Sequence, residues 1–174
     1  MINVALRRDG RGTLLPVPLD GEEIFLLTRP GIRFKAVLPT PVDRTLCADG
    51  TIVFTSLRLV FISSIEFAAA ATDAPGSRER RFVSFDVPLA AITDEAFNQP
   101  VFGANSLTGC VAAVVGGGLP RGCTAAFTFE FNEGGVGAFL PVLIKVLSEA
   151  RRLARAAAPP SSRSSRAAHF SAML

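Results

Sequence analysis

One stretch of helical periodicity, at the end of a chain that otherwise alternates as β-strands do, limits the possible folds most. Apolar residues recur at helical spacing over Val136–Ala154, and the charged residues of this segment fall largely on another side. Because Pro141 is poorly tolerated in a helix interior, we expect the helix to begin between Gly137 and Leu140. The sequence therefore predicts one amphipathic helix whose apolar stripe must be covered by other elements.

Short β-branched and aromatic runs, separated by turn residues, precede this helix. Two runs, 22–28 and 32–36, flank Arg29-Pro30-Gly31, which predicts a first hairpin. Further predicted strands are Thr51–Thr55, Leu57–Ile62, Phe82–Val87, Ile92–Asn98, Leu107–Val115 and Cys123–Phe131. The pattern predicts a mainly β fold, a bent antiparallel barrel of about seven strands capped by one C-terminal α-helix. This arrangement is that of pleckstrin-homology-like folds.

Composition narrows the function classes. The net charge of +3 is not concentrated in a dense basic face interleaved with stacking aromatics, so direct nucleic-acid binding is not expected. The N-terminus lacks the apolar run of a signal peptide, and three widely spaced cysteines indicate reduced thiols. We therefore expect a cytoplasmic protein, with the nucleus and the membrane surface as alternative locations.

No residue set for catalysis or metal binding is found in the sequence. The only histidine, His169, lies in a predicted mobile tail, whereas a general base needs fixed geometry. Asp94 and Glu95 are adjacent on a predicted strand and would point to opposite faces. The cysteines have no metal-ligand spacing, although Cys110 and Cys123 flank one hairpin and might face each other. We expect a protein that is not an enzyme and that uses no cofactor or metal.

A longer string points to a family. The segment Gln99-Pro100-Val101-Phe102-Gly103-Ala104-Asn105, with Gly109 and Val111 after it, resembles the GRAM domain of the WW-domain-binding protein 2 family. Asp49–Ser63 resembles the earlier hairpin of that family, and the resemblance covers roughly Glu22 to Ala157. It implies a pleckstrin-homology-like fold without catalytic residues. The chain is accordingly divided into a loose lead-in (1–20), a GRAM domain (21–157) and a disordered, basic Ser/Arg tail (158–174).

The resemblance also implies partners, with one departure. Family members are adaptors and transcriptional coactivators that engage WW domains through Pro-Pro-x-Tyr motifs in a long tail. Here Pro159-Pro160-Ser161-Ser162 has Ser where Tyr is needed, and no Tyr occurs anywhere in the sequence. Binding of a WW domain through Pro-Pro-x-Tyr is therefore not carried over to this chain.

Two groups of residues are candidate sites. Arg29, Arg33 and Lys35 resemble the basic pattern with which pleckstrin-homology domains hold phosphoinositides, and guanidinium groups suit phosphate oxygens. The alternative is an ordinary solvated strand face. The Gln99–Asn105 loop has a structural interpretation, in which Val101 and Phe102 plug inward, and a functional one, in which the loop contacts a ligand or protein.

Three functions follow from these observations. The leading one is an adaptor that binds a protein partner, with a groove between the helix and an exposed sheet edge accepting an extended peptide by strand addition. The second is a peripheral membrane module that recognises an anionic phosphoinositide lipid through Arg29, Arg33 and Lys35. The third is a nuclear transcription coactivator.

Overall fold

Seven antiparallel strands make up one sheet in the described part of the chain. The computed structural model describes residues 2–64 and 82–157. A first pair of short strands, β1 (Leu6–Arg8) and β2 (Leu14–Pro16), forms a separate hairpin. The strands of the sheet are β3 (Phe25–Leu38), β4 (Arg44–Thr55), β5 (Arg58–Ser63), β6 (Ser84–Pro88), β7 (Ile92–Asn98), β8 (Asn105–Ala112) and β9 (Thr124–Phe131). The helix α1 (Val136–Ala157) follows.

The sheet curls around one face of α1. Its strand order is β6-β5-β4-β3-β9-β8-β7, and β6 and β7 do not pair with each other, so it is a half-barrel with two edges. A short 3-10 turn, Leu89–Ala91, links the two edge strands and contacts α1. The predicted pleckstrin-homology-like fold, a bent antiparallel sheet of about seven strands with one C-terminal helix, is confirmed.

Phenylalanine fills the space between sheet and helix. Phe34 lies at the centre of a cluster of rings, with its ring centroid 4.7 Å from that of Phe61 and 5.1 Å from those of Phe85 and Phe129. Since a phenyl ring carries no polar atom, these side chains are buried without needing a hydrogen-bond partner. The apolar stripe of α1 completes the core through Val136, Phe139, Leu143 and Leu147.

The predicted first hairpin is wrong, because β3 is one long strand. It pairs with β4 on both sides of Pro30-Gly31, where the register shifts between Arg29 and Ile32. Gly31 has a φ of 67°, which a residue without Cβ adopts at no steric cost. Because β4 continues past this point, the Pro-Gly pair produces a bulge instead of a chain reversal.

The N-terminal segment is not loose, contrary to the prediction for residues 1–20. Side chains of the β1–β2 hairpin, among them Leu6 and Leu14, pack on an apolar cluster of Val53, Val60 and Ile62 on the outer face of the sheet. At the chain start, Ile2 forms a bridge to Phe85 on the edge strand β6. An outer face that carries three apolar residues needs such a cover, which accounts for the order of this segment.

The helix begins one residue before the predicted interval, at Val136, so Pro141 lies within its first two turns. Pro141 is exposed there, and it has no N–H to donate to the helical hydrogen-bond ladder. Within the described residues, no helix is long and apolar enough to cross a bilayer. The predicted disordered tail at 158–174 lies outside the described residues.

Candidate functional site

A groove of about 580 Å³ runs between α1 and the strands β7 and β8. Its walls are mainly apolar, and Phe97 on β7 lies opposite Leu107 on β8 in the ladder. Ile144 on α1 is 61% exposed, although it is a large apolar residue beside the core. The other apolar residues of the lining are Leu140, Leu143 and Leu147. The groove therefore offers a surface that an apolar side chain of another molecule could cover.

The groove lies beside an open edge of the sheet. In residues 2–64 and 82–157, no strand pairs with the outer side of β7. An edge strand presents unpaired N–H and C=O groups that can pair with an extended segment. The pairing of β7 with β8 is interrupted by a bulge between Thr93 and Ala96, where Asp94 has a φ of 53°. The longest regular part of the open edge is thus Ala96–Asn98.

One end of the groove is cationic. Arg151, Arg152 and Arg155 line it, together with a single carboxylate, Glu95. Arg151 donates to both oxygens of Glu95, with an Nη1–Oε1 distance of 2.8 Å, and this hydrogen bond lowers the pKa of Glu95 below its ordinary value. Glu149 binds Arg152 in the same fashion one helical turn away. Arg155 has no ion pair with any described residue.

The helix runs antiparallel to β7. At one end of the sheet, Asn98 pairs with Ser106, while Asn105 pairs with Phe131 just before α1 begins. Further back along β7, near its middle, the C-terminal part of α1 reaches Glu95 through Arg151. The apolar part of the groove therefore lies toward Asn98, and its cationic part lies toward the start of β7.

The three predicted lipid-binding residues do not come together. Arg33 and Lys35 are exposed on the outer face of β3, whereas Arg29 lies across the bulge with its guanidinium group against the backbone of Gly135, before α1. Arg33 donates to Asp49 at 3.1 Å, and Glu130 is its ladder partner on β9. The surroundings of Arg33 are therefore balanced in charge, and phosphoinositide binding by these residues stays a prediction.

The Gln99–Asn105 loop is the tip of the β7–β8 hairpin. Val101 and Phe102 are each 91% exposed, so the prediction that they plug inward is wrong. The tip projects beyond the last ladder pair, Asn98 with Ser106, and no element among residues 2–64 and 82–157 covers its Val101 and Phe102 side chains. Gln99, Pro100 and Gly103 are also exposed, while Ala104 and Asn105 are half-buried. The functional interpretation of the loop, as a contact surface, is the one that this exposure favours.

The cysteines and carboxylates do not form a metal or redox centre among the described residues. Cys47, Cys110 and Cys123 are all free thiols. Cys110 pairs with Ala126 across the β8–β9 ladder, so it does not face Cys123. No cluster of three potential metal ligands occurs in residues 2–64 and 82–157, and His169 lies outside them.

Sequence comparison supplies the relationship that the fold alone does not. A stress-induced protein of the UPF0664 family from Schizosaccharomyces pombe is 36% identical over 121 residues, covering 70% of this chain and 56% of that protein. Human WW domain-binding protein 2 is 32% identical over 103 residues, covering 59% of this chain and 34% of that protein. The chain is a homologue of WW domain-binding protein 2.

The postacrosomal sheath WW domain-binding protein of Bos taurus is 31% identical over 154 residues, or 87% of this chain and 44% of that protein. The resemblance to the WW-domain-binding protein 2 family is therefore confirmed, and the relationship is consistent with a GRAM domain. No family model matches the chain. The chain spans about half, or less, of the length of the curated relatives that it matches.

The individual residues of the groove were not identified from the sequence, although its general position was. The helical periodicity predicts that Leu140 and Leu143 belong to the buried stripe of the helix, whereas Ile144 lies beside that stripe. The available signal is the width of the stripe, because Ile144 extends it beyond the face that one sheet covers. Nothing in the sequence pattern pairs Glu95 with Arg151, since they are 56 residues apart.

Proposed function

We propose that this chain is a non-enzymatic adaptor domain that binds an extended segment of a protein partner in the groove between β7 and α1. The proposal rests on one observation: an open sheet edge lies directly beside the apolar part of the groove. The edge supplies backbone hydrogen bonds, and the groove accepts every second side chain of the added strand. The names of the homologous WW domain-binding proteins support a protein as the class of partner.

Ile144 provides a direct test, because its side chain is 61% exposed and lines the groove. Ile144→Arg places a charge in the groove without removing a core side chain. Leu153→Arg is the matched control, since Leu153 is on the same helix, is 55% exposed and does not line the groove. Both variants should unfold at the temperature of the unmodified chain.

The measurement is affinity purification of the whole chain and of both variants from cells, with quantitative mass spectrometry. We expect a set of proteins that is retained by the unmodified chain and by Leu153→Arg, and that is lost with Ile144→Arg. The same set of proteins with all three baits would overturn the proposal.

A further inference from the structure

The groove changes in character along its length, and this change restricts what can fill it. Its apolar part, around Phe97 and Ile144, lies toward the hairpin tip, and its cationic part, around Arg155, lies toward the start of β7. From Ile144 to Arg155 the helix advances about 16 Å. About five residues of an extended chain cover that distance.

The longest regular stretch of the open β7 edge is short, since the bulge at Asp94 separates Ile92–Thr93 from Ala96–Asn98. Three residues of edge provide few backbone hydrogen bonds. Side-chain contacts at the two ends of the groove must therefore account for much of the affinity and for the selectivity of an added strand.

The charges of the groove favour an acidic occupant. Three arginines and one carboxylate line it, but Arg151 is paired with Glu95 and Arg152 with Glu149 just outside the groove, so Arg155 supplies the excess positive charge. Arg155 has no ion pair with a described residue, so its guanidinium group is available to a carboxylate. The chain's own residues 158–174 fit poorly, since they contain Arg163 and Arg166 and no acidic residue.

We infer that the groove recognises an extended protein segment in which an apolar residue is followed, about four to six residues later, by Asp or Glu. This inference rests on the proposed function and adds the chemistry and the direction of the partner. The order follows from antiparallel addition, which is the arrangement of every strand pair in this sheet. The added strand then runs from the apolar end beside Ile144 to the cationic end beside Arg155.

The test is a selection of random displayed peptides of about 12 residues on the whole chain, followed by affinity measurement of synthetic copies. The peptides that matter are those whose binding is lost with Ile144→Arg and retained with Leu153→Arg. We expect them to carry an acidic residue C-terminal to an apolar one. Replacing that residue by its amide, Asn or Gln, should weaken binding about tenfold or more.

Charge reversal on the protein should give the same loss of peptide affinity. Arg155→Glu is expected to weaken the binding of the acidic peptides about tenfold or more. It should improve the binding of peptides in which the acidic residue is replaced by Lys. Arg121→Glu is the control, since it changes the net charge equally at an exposed site outside the groove. Groove-dependent peptides whose affinity is unaffected by the amide replacement, or whose order is reversed, would overturn this inference and leave the proposed function standing. Failure to select any groove-dependent peptide would count against both.

Discussion

Arg58 donates to both carboxylate oxygens of Glu23 in the interior of the protein, at 2.8 Å from Nε to Oε1 and 3.1 Å from Nη2 to Oε2. The Arg58 side chain is 2% exposed and that of Glu23 is 0% exposed. Arg58 also donates to Asp86 at 3.3 Å and to the carbonyl oxygen of Val17 at 2.7 Å. This guanidinium group thus joins the segment before β3 to strands β5 and β6.

Removing the arginine should therefore destabilise the fold strongly. Arg58→Met keeps the side-chain length but leaves the carboxylate of Glu23 buried without its ion-pair partner. Loss of one member of a buried ion pair costs about 3–5 kcal/mol of unfolding free energy. Arg152→Met is the control, because its pair with Glu149 is exposed and should leave stability nearly unchanged. Urea unfolding measures both, and equal destabilisation by the two variants would contradict the prediction.

Stability should also fall in acid, and Glu23 should account for part of the fall. Burial raises the pKa of Glu23, but hydrogen bonds from Arg58 and from the amide of Leu19 outweigh it, so that this pKa lies below 4.5. A carboxyl with a depressed folded pKa contributes stability above its unfolded pKa and loses it as the pH falls through the folded pKa. The unfolding free energy should therefore decline from pH 4.5 downward.

The variant Glu23→Gln isolates this contribution, since it removes the titrating group while keeping a hydrogen-bond acceptor. Its unfolding free energy should be lower near neutral pH but should depend less steeply on pH between about 3 and about 5. Glu95, whose pKa is lowered by its hydrogen bond from Arg151, remains in both proteins. The unfolding free energy is measured by urea unfolding at each pH. If it depends on pH with the same slope in both proteins, Glu23 does not contribute to the acid destabilisation.

The exposed hairpin tip should be dispensable for folding. Val101→Ser with Phe102→Ser removes two side chains that are each 91% exposed, so the unfolding free energy should change by about 0.5 kcal/mol or less. Phe129→Ala, at a fully buried position, should cost about 3–5 kcal/mol. Thermal unfolding distinguishes the two. Marked destabilisation by the double tip variant would restore the interpretation that this loop packs inward.

Binding to anionic lipid, if it occurs, should not depend on Arg33 and Lys35. Asp49 and Glu130 flank Arg33, and Arg29 is directed to another part of the molecule, so these three basic residues do not converge on one pocket. Arg33→Glu with Lys35→Glu should leave sedimentation with phosphatidylinositol bisphosphate vesicles unchanged. Loss of sedimentation in this double variant would instead support the phosphoinositide function predicted from the sequence.

The sequence predicted those features that depend on local periodicity. Alternation of apolar residues located most strands, and the helical spacing after Val136 located α1 to within a few residues. The Arg29-Pro30-Gly31 turn was misassigned because the same residues suit a reversal and a bulge. The neighbouring strand β4, which continues past that point, decides between them.

The errors and omissions at the candidate site have a common physical origin. Val101 and Phe102 are apolar, which predicts burial, but burial needs neighbouring elements, and the described part of the chain places none against this hairpin tip. Glu23 and Arg58 are 35 residues apart, and neither belongs to a motif. Contacts between side chains distant in sequence are set by strand order, which the hydrophobic pattern does not specify.

The N-terminal residues make the two sides of the sheet unequal. Ile2 bridges to Phe85, while the backbone amide of Asn3 donates to the carbonyl oxygen of Ser84 and its side-chain Oδ1 accepts from the amide of Val83, so the start of the β6 edge is occupied. Self-association by strand pairing needs a free side on each copy, and growth into a fibril needs two. If copies of this chain join through β7, the N-terminal residues therefore obstruct further pairing at the start of β6, and an N-terminal truncation that removes Ile2 and Asn3 would remove this obstruction to polymerisation.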